Sequence, residues 1–164
     1  MQIGSLTDMY VAELQELHSV ENQLVDALAR MAERAKSAEL KDALNQHLDE
    51  TRSQARRVQE VLRRRGANPR EHVDQAMQVL VRESEKWAGM LNDPALADAG
   101  LIASAQKIEH YEIAAYGTVT AYAGLLGHED DQRELHAILE EEKAADAKLT
   151  DLAKAVANPK AAKG

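Results

Sequence analysis

Glu21, Glu112 and Glu142 stand where apolar residues should stand. One apolar stripe with 4-3-4-3 spacing runs Tyr10, Leu14, Leu17, position 21, Leu24, Leu28, Met31, Ala35. A second runs Leu101, Ala105, Ile108, position 112, Ala115, Val119, Tyr122, Leu126. A third, from Leu135 through Leu139 and Leu149 to Val156, carries Glu142 and Asp146 in its middle. A fourth, Leu40, Leu44, His47, Thr51, Gln54, Val58, Val61, puts His47 and Gln54 on an apolar face, with Glu50 at its edge. Glu109 is likewise at an edge, one turn before Glu112. A buried carboxylate costs several kcal/mol unless something compensates it. No Lys or Arg shares these stripes at the same depth, because Arg52, Arg56, Arg57, Lys107, Lys143 and Lys148 project away from them. Two chemistries fit such a set. Either some acids are protonated and share hydrogen bonds, or a multivalent cation sits among them, which suits a cluster this large.

The spacing brings the acids level. Glu21 and Glu50 lie 29 positions apart, centred near residues 35–36, and Glu112 and Glu142 lie 30 apart, centred on Gly127. In an antiparallel helix hairpin, residues equidistant from the turn face each other. Each acid is then roughly 22 Å from its turn at 1.5 Å per residue. Glu50-Thr-Arg-Ser-Gln54 also parallels Glu142-Lys-Ala-Ala-Asp146. The pattern reads as a duplicated two-helix unit, each half giving one acid from its first helix and two oxygen ligands from its second. Two such halves face to face would enclose a dinuclear site, its cations about 3.5–4 Å apart.

The elements that must position these residues are helices. Pro occurs at 69, 94 and 159, and alternating strand patterns are missing. The expected helical segments are 5–35, 38–65, 71–91, 95–126 and 129–156. Ser37 is a candidate cap for the second, and Gly66 and Gly127 are terminators. The fold class is therefore all-α: a four-helix bundle of two antiparallel hairpins, joined by a long crossover that carries a shorter fifth helix. Residues 1–157 form one domain and 158–164 a flexible tail. The 164-residue chain is 45% apolar and 29% charged, with formal net charge −8. The acidic balance argues against nucleic acid and anionic membrane partners. No apolar run is long enough to span a bilayer, and Met1 to Tyr10 lacks a signal-peptide pattern. Cysteine is absent, which excludes disulfides and thiol chemistry and fits a cytoplasmic setting.

Taken together, these residues resemble the ferritin-like superfamily and, more narrowly, the YciE/YciF-type bacterial stress proteins. The matching stretches are Asp8-Met-Tyr with Glu13-Leu, Glu21-Asn-Gln-Leu, His47-Leu-Asp-Glu-Thr-Arg-Ser-Gln54, Glu109-His-Tyr-Glu-Ile-Ala-Ala-Tyr-Gly117 and Leu139-Glu-Glu-Glu-Lys-Ala-Ala-Asp146. The resemblance covers about residues 5–155. It implies a ferritin-like bundle with a dimetal centre, two iron ions or else manganese, that reacts with O2 or peroxide in a stress response. It also implies Glu21, Glu50, Glu112 and Glu142 as ligands from the four helices, with Glu109 as an extra. The ferritin pattern Glu-x-x-His departs here, because its histidine positions are Ser53 and Ala145. Gln54 and Asp146, one residue later, are the expected substitutes, with His47 a further candidate. Such an oxygen-dominated site would accept Mn or Fe, and even Ca or Mg.

Other residues read as structural. His47 by itself is more often a satisfied core histidine than a ligand, Tyr116 and Tyr122 read as core, and Trp87 as crossover packing. Arg63-Arg64-Arg65 complements a helix dipole. Ile3, Leu6, Val11, Val20 and Val25 beside the first seam suggest a second buried face and a homodimer. A non-enzymatic helical dimer, or a metal-binding structural module without turnover, is the alternative function.

Overall fold

Ser5 opens the first helix, its hydroxyl accepting from the Asp8 amide, and α1 runs Leu6–Arg34. The structure, a computed structural model, describes residues 3–163. Next come α2 (Ala38–Arg64), α3 (Gln75–Met90), α4 (Pro94–Leu125) and α5 (Glu129–Leu152). No strand occurs among the described residues. The four long helices form two hairpins, α1 on α2 and α4 on α5, that pack face to face. The crossover between them carries α3, which leans on α4 and α1. The all-α bundle expected from the stripes is the architecture observed.

The helix ends follow local chemistry. Gly66 (φ 66°) and Gly127 (φ 72°) take the left-handed conformation that closes α2 and α4. In both cases the amide after the glycine reaches back a full turn, Ala67 N to Leu62 O and His128 N to Ala123 O. Asp93 caps α4 through the Ala95 and Leu96 amides, with Pro94 in its first turn. The third helix begins at Gln75, not near 71, because Asp74 is its cap and accepts from Met77 N. Ser37, the expected cap of α2, makes no side-chain capping hydrogen bond. Buried Asp98 of α4 holds the α1–α2 turn instead, accepting from Lys36 N (2.7 Å) and Ser37 N (2.8 Å).

Beyond α5 the chain does not fray at once. A π-helical turn spans Ala153–Ala157, and a short helix α6 covers Asn158–Ala161. Ala153 and Ala157 are buried in the core. The segment 158–164, expected as a flexible tail, thus begins as helix; Met1, Gln2 and Gly164 lie outside the described residues.

The apolar interior falls into two bodies. One holds Leu24, Leu28, Leu44, Leu101, Ile108 and Leu149. The other holds Tyr10, Leu14, Leu17, Val58, Val119 and Leu135. Val20 belongs to the first, and Val25 packs against it with Leu80 and Val81 of α3. Those two valines therefore serve this chain's own core, and only Ile3 and Leu6 of the expected second face stand out as exposed large apolar residues. Trp87 is also exposed. No helix among the described residues is long and apolar enough to cross a membrane.

Candidate metal centre

Between the two apolar bodies lies a polar layer to which all four long helices contribute. Glu21 (α1), Gln54 (α2), Glu109 (α4) and Glu142 (α5) have no exposed surface, and Glu112 (α4) has 1%. His47 of α2 joins them. Its Nε2 is 3.0 Å from Glu109 Oε1 and 3.9 Å from Glu142 Oε2. His47, Glu109, Glu112 and Glu142 each offer a ligand atom, all within 4.8 Å of one another. Glu50 lies at the rim, its side chain 38% exposed, with its Oε2 3.7 Å from His47 Nδ1.

Hydrogen bonds fix only part of the layer. Tyr116, one turn after Glu112, donates its hydroxyl proton to Glu21 Oε1. Gln54 Nε2 donates to Glu142 Oε1 and, at 3.1 Å, to Glu141 Oε2. Both ring nitrogens of His47, both oxygens of Glu109 and one oxygen each of Glu21, Glu112 and Glu142 are buried without a hydrogen-bond partner. At 3.0 Å His47 and Glu109 are close enough to pair as ions, but the atoms are out of line for a hydrogen bond. Glu109 and Glu112 share α4 and face the same layer, so two carboxylates come from one helix.

Three other buried acids are all provided for. Asp131 accepts hydrogen bonds from Arg64 Nε (2.9 Å) and the Tyr10 hydroxyl (3.0 Å), and Arg65 Nε lies 3.1 Å away as an ion pair. Asp98 takes two backbone amides, and Asp74 takes the Met77 amide and the Tyr111 hydroxyl. Arg64, in the last turn of α2 as the dipole reading expects, and Arg65 at its C-cap also neutralise Asp131. No Lys or Arg pairs with an acid of the polar layer among the described residues, and the one cation-forming group there is His47 itself. Arg57, three residues beyond Gln54, is taken up outside it by Glu134 and by both oxygens of Glu141. That ion pair is partly exposed, so Arg57→Ala is expected to cost under about 1 kcal/mol in a urea melt.

Protonation is displaced accordingly. Burial pushes the Glu21 carboxyl up to about 8 against the opposing pull of the Tyr116 hydrogen bond. Burial also lifts Glu112 and Glu142 well above the ordinary range, with the neighbouring acids adding to it. For His47 burial alone would depress the imidazole, but Glu109, Glu50 and Glu142 outweigh it and raise it. His47 in turn holds the Glu50 carboxyl below its usual value. Tyr116 is raised by burial and by Glu21. Removing its hydroxyl in Tyr116→Phe leaves Glu21 Oε1 without its donor. The expected loss is about 1–3 kcal/mol in the metal-free protein, measured by denaturant unfolding.

Of the candidates named from the sequence, Glu21, Gln54, Glu109, Glu112 and Glu142 converge, with Glu50 at the edge. Asp146 does not join them. Its side chain is 20% exposed, accepts from Gln106 Nε2 (3.2 Å) and lies 3.3 Å from His110 Nε2. The parallel between the two hairpins ends there: Gln54 turns inward to Glu142, while Asp146 turns along the α4 surface. His47 belongs to the layer more firmly than its place in the sequence suggests. Its signal is a histidine on an apolar stripe one turn before Glu50, and only the packing of α4 and α5 reveals that it lacks a hydrogen-bond partner.

The donor set fits a metal. Unpartnered carboxylate oxygens and imidazole nitrogens converge from different helices with no Lys or Arg to balance them. Carboxylates suit Mn and Mg, and imidazole suits Fe and other transition ions.

A family profile described as a domain of unknown function (DUF892) matches residues 5–162. Protein YciF of Escherichia coli (strain K12) is 38% identical over 162 residues, covering 98% of either chain. The crystal structure of that E. coli stress protein superposes with a TM-score of 0.88, covering 92% of this chain and 96% of its own. YcfI of Rhodopseudomonas palustris, described as a candidate structural protein, is also 38% identical with a TM-score of 0.88, over 91% and 95% of the two chains. A Xanthomonas campestris protein at 24% identity shares the fold, with a TM-score of 0.73.

Proposed function

Because the chain belongs to the DUF892 family, we propose that it is a ferritin-like dinuclear metal protein that, like its relative YciF, serves a stress response. The observation that carries this is the contrast among buried acids: Asp74, Asp98 and Asp131 all have hydrogen-bond donors, whereas the polar layer leaves seven atoms of His47, Glu21, Glu109, Glu112 and Glu142 without a hydrogen bond. Glu21, His47, Glu109, Glu112 and Glu142 would hold the ions, with Glu50 as a ligand from the rim. Two iron ions there would supply redox chemistry toward O2 or peroxide. Around them Gln54 fixes the orientation of Glu142, Tyr116 fixes Glu21, and the apolar bodies above and below keep water out. The carboxylates would neutralise the cationic charge.

The test is elemental analysis of protein purified without chelator. About two equivalents of Fe or Mn per chain is the expected result. A second reading, a structural helical protein without metal, draws on the description of YcfI. Protein that holds no metal and binds no added Fe(II) would leave that reading in place and overturn the first.

A further inference from the structure

A cavity of about 190 Å³ lies between α2 and α5 and touches the polar layer at His47. Its walls are small or apolar, including Ala43, Ala144, Ala145 and Leu149, and it is bordered by Glu50, Glu141 and Lys148. His47 lines it as well, with only 8% of its side chain exposed and neither ring nitrogen hydrogen-bonded. Ala145 stands three residues after Glu142, where a Glu-x-x-His helix would place an imidazole. A methyl group there leaves open space beside the cluster.

Ligand atoms descend from this cavity to the interior in short steps. The Glu50 carboxylate at the rim is more than a third exposed, its Oε1 steadied by Gln46 Nε2 at 3.0 Å. Its Oε2 is 3.7 Å from His47 Nδ1, and the far side of the same ring is 3.0 Å from fully buried Glu109. The larger clefts beside His18 and Arg70, and beside Glu16 and Tyr111, touch no residue of the polar layer.

We propose that this α2–α5 cavity is the inlet by which divalent cations reach the buried acids, Glu50 capturing the ion and His47 passing it to Glu109 and Glu142. The proposal rests on the dinuclear-metal function above. Each step exchanges one ligand for the next with no change of oxidation state, the imidazole and the carboxyls giving up their protons to solvent through the cavity as the ion arrives. Lys148 at the border, its Nζ hydrogen-bonded to Gln46 Oε1 at 2.6 Å, opposes cation approach and sets the rate.

The experiment follows uptake of Co(II) by the chelator-stripped full chain in a stopped-flow absorbance measurement, alongside equilibrium titration. Ala145→Leu fills the cavity and replaces no ligand. It is expected to slow uptake about tenfold or more while stoichiometry and affinity stay within about twofold. Lys148→Glu, a surface change that leaves folding intact if Ala145→Leu does not, is expected to speed uptake at low salt, the gain vanishing at high salt. Parent-like rates in both variants at unchanged end points would overturn the inlet and leave the metal site standing. A parent protein that binds no Co(II) at equilibrium would overturn both.

Discussion

Glu112→Ala is expected to strip the purified protein to at most one metal equivalent, against about two for the parent, with its affinity for added Fe(II) or Mn(II) lowered about 100-fold or more. Glu112 is the cleanest position for this, because it is 1% exposed and its Oε2 has no partner. Truncation therefore breaks no stabilising hydrogen bond through that atom. It also removes one of the carboxyls that burial and the neighbouring acids Glu142, Glu21 and Glu109 place under strain. The variant should fold, and without metal it should be at least as stable as the parent, so metal loss is not confounded with unfolding. Asp131→Ala supplies the opposite control. It deletes a buried acid whose partners are Arg64, Arg65 and the Tyr10 hydroxyl. It should keep the parental metal content and lose about 1–3 kcal/mol of stability. Paired metal analysis and urea melts of the two variants separate a ligand acid from a structural one.

The second large effect is on pH dependence. Glu21 titrates near 8 in the folded chain against 4.5 in the unfolded one, and Glu112 and Glu142 are displaced the same way. A carboxyl raised on folding costs nothing below its unfolded value, and the cost grows until pH passes the folded value. His47, raised on folding above 6.5, contributes stability below that pH and loses it as pH climbs through its folded value. Both contributions run in one direction. The metal-free protein should therefore lose stability between about pH 5 and pH 8, by a few kcal/mol, or on the order of 5–10 °C in Tm. Divalent metal competes with those protons, so its stabilisation should grow over the same window. At 1,000-fold excess over Kd it reaches about 4 kcal/mol. Thermal melts across pH, with and without Mn(II), check this. A metal-free curve that is flat, or one that rises toward pH 8, would contradict it, as would a metal increment that shrinks as pH rises. Glu21→Gln should make the metal-free curve shallower, since it leaves a neutral group next to Tyr116 while Glu112, Glu142 and His47 still titrate.

Much of this architecture is legible in the stripes. Apolar residues at 4-3 spacing define helices whatever the partner, and an acid inside such a stripe is conspicuous, which is why positions 21, 112 and 142 stand out from the sequence alone. Edge positions are harder. Glu109 and Glu50 occupy similar places on their helices, yet Glu109 is fully buried and Glu50 is more than a third exposed, because α3 and α1 pack beside α4 while α2 and α5 leave a cavity between them. Asp146 parallels Gln54 in spacing, but sequence symmetry does not fix which neighbour a side chain finds, and Gln106 on α4 captures it. Most core histidines are satisfied, and His47 shows that it is not only when all four helices are in place. Asp98 and Asp131 are hidden in the sequence for the converse reason. Their donors lie far away along the chain, on the α1–α2 turn and at the end of α2.

The most direct measurement is anomalous diffraction from crystals soaked in Fe(II) or Mn(II), with data collected on both sides of the metal edge. Two peaks should appear inside the bundle, enclosed by His47, Glu21, Glu109, Glu112 and Glu142. Density confined to the surface, or a metal-free interior in which those carboxyls have turned to donate hydrogen bonds to one another, would contradict a dinuclear centre.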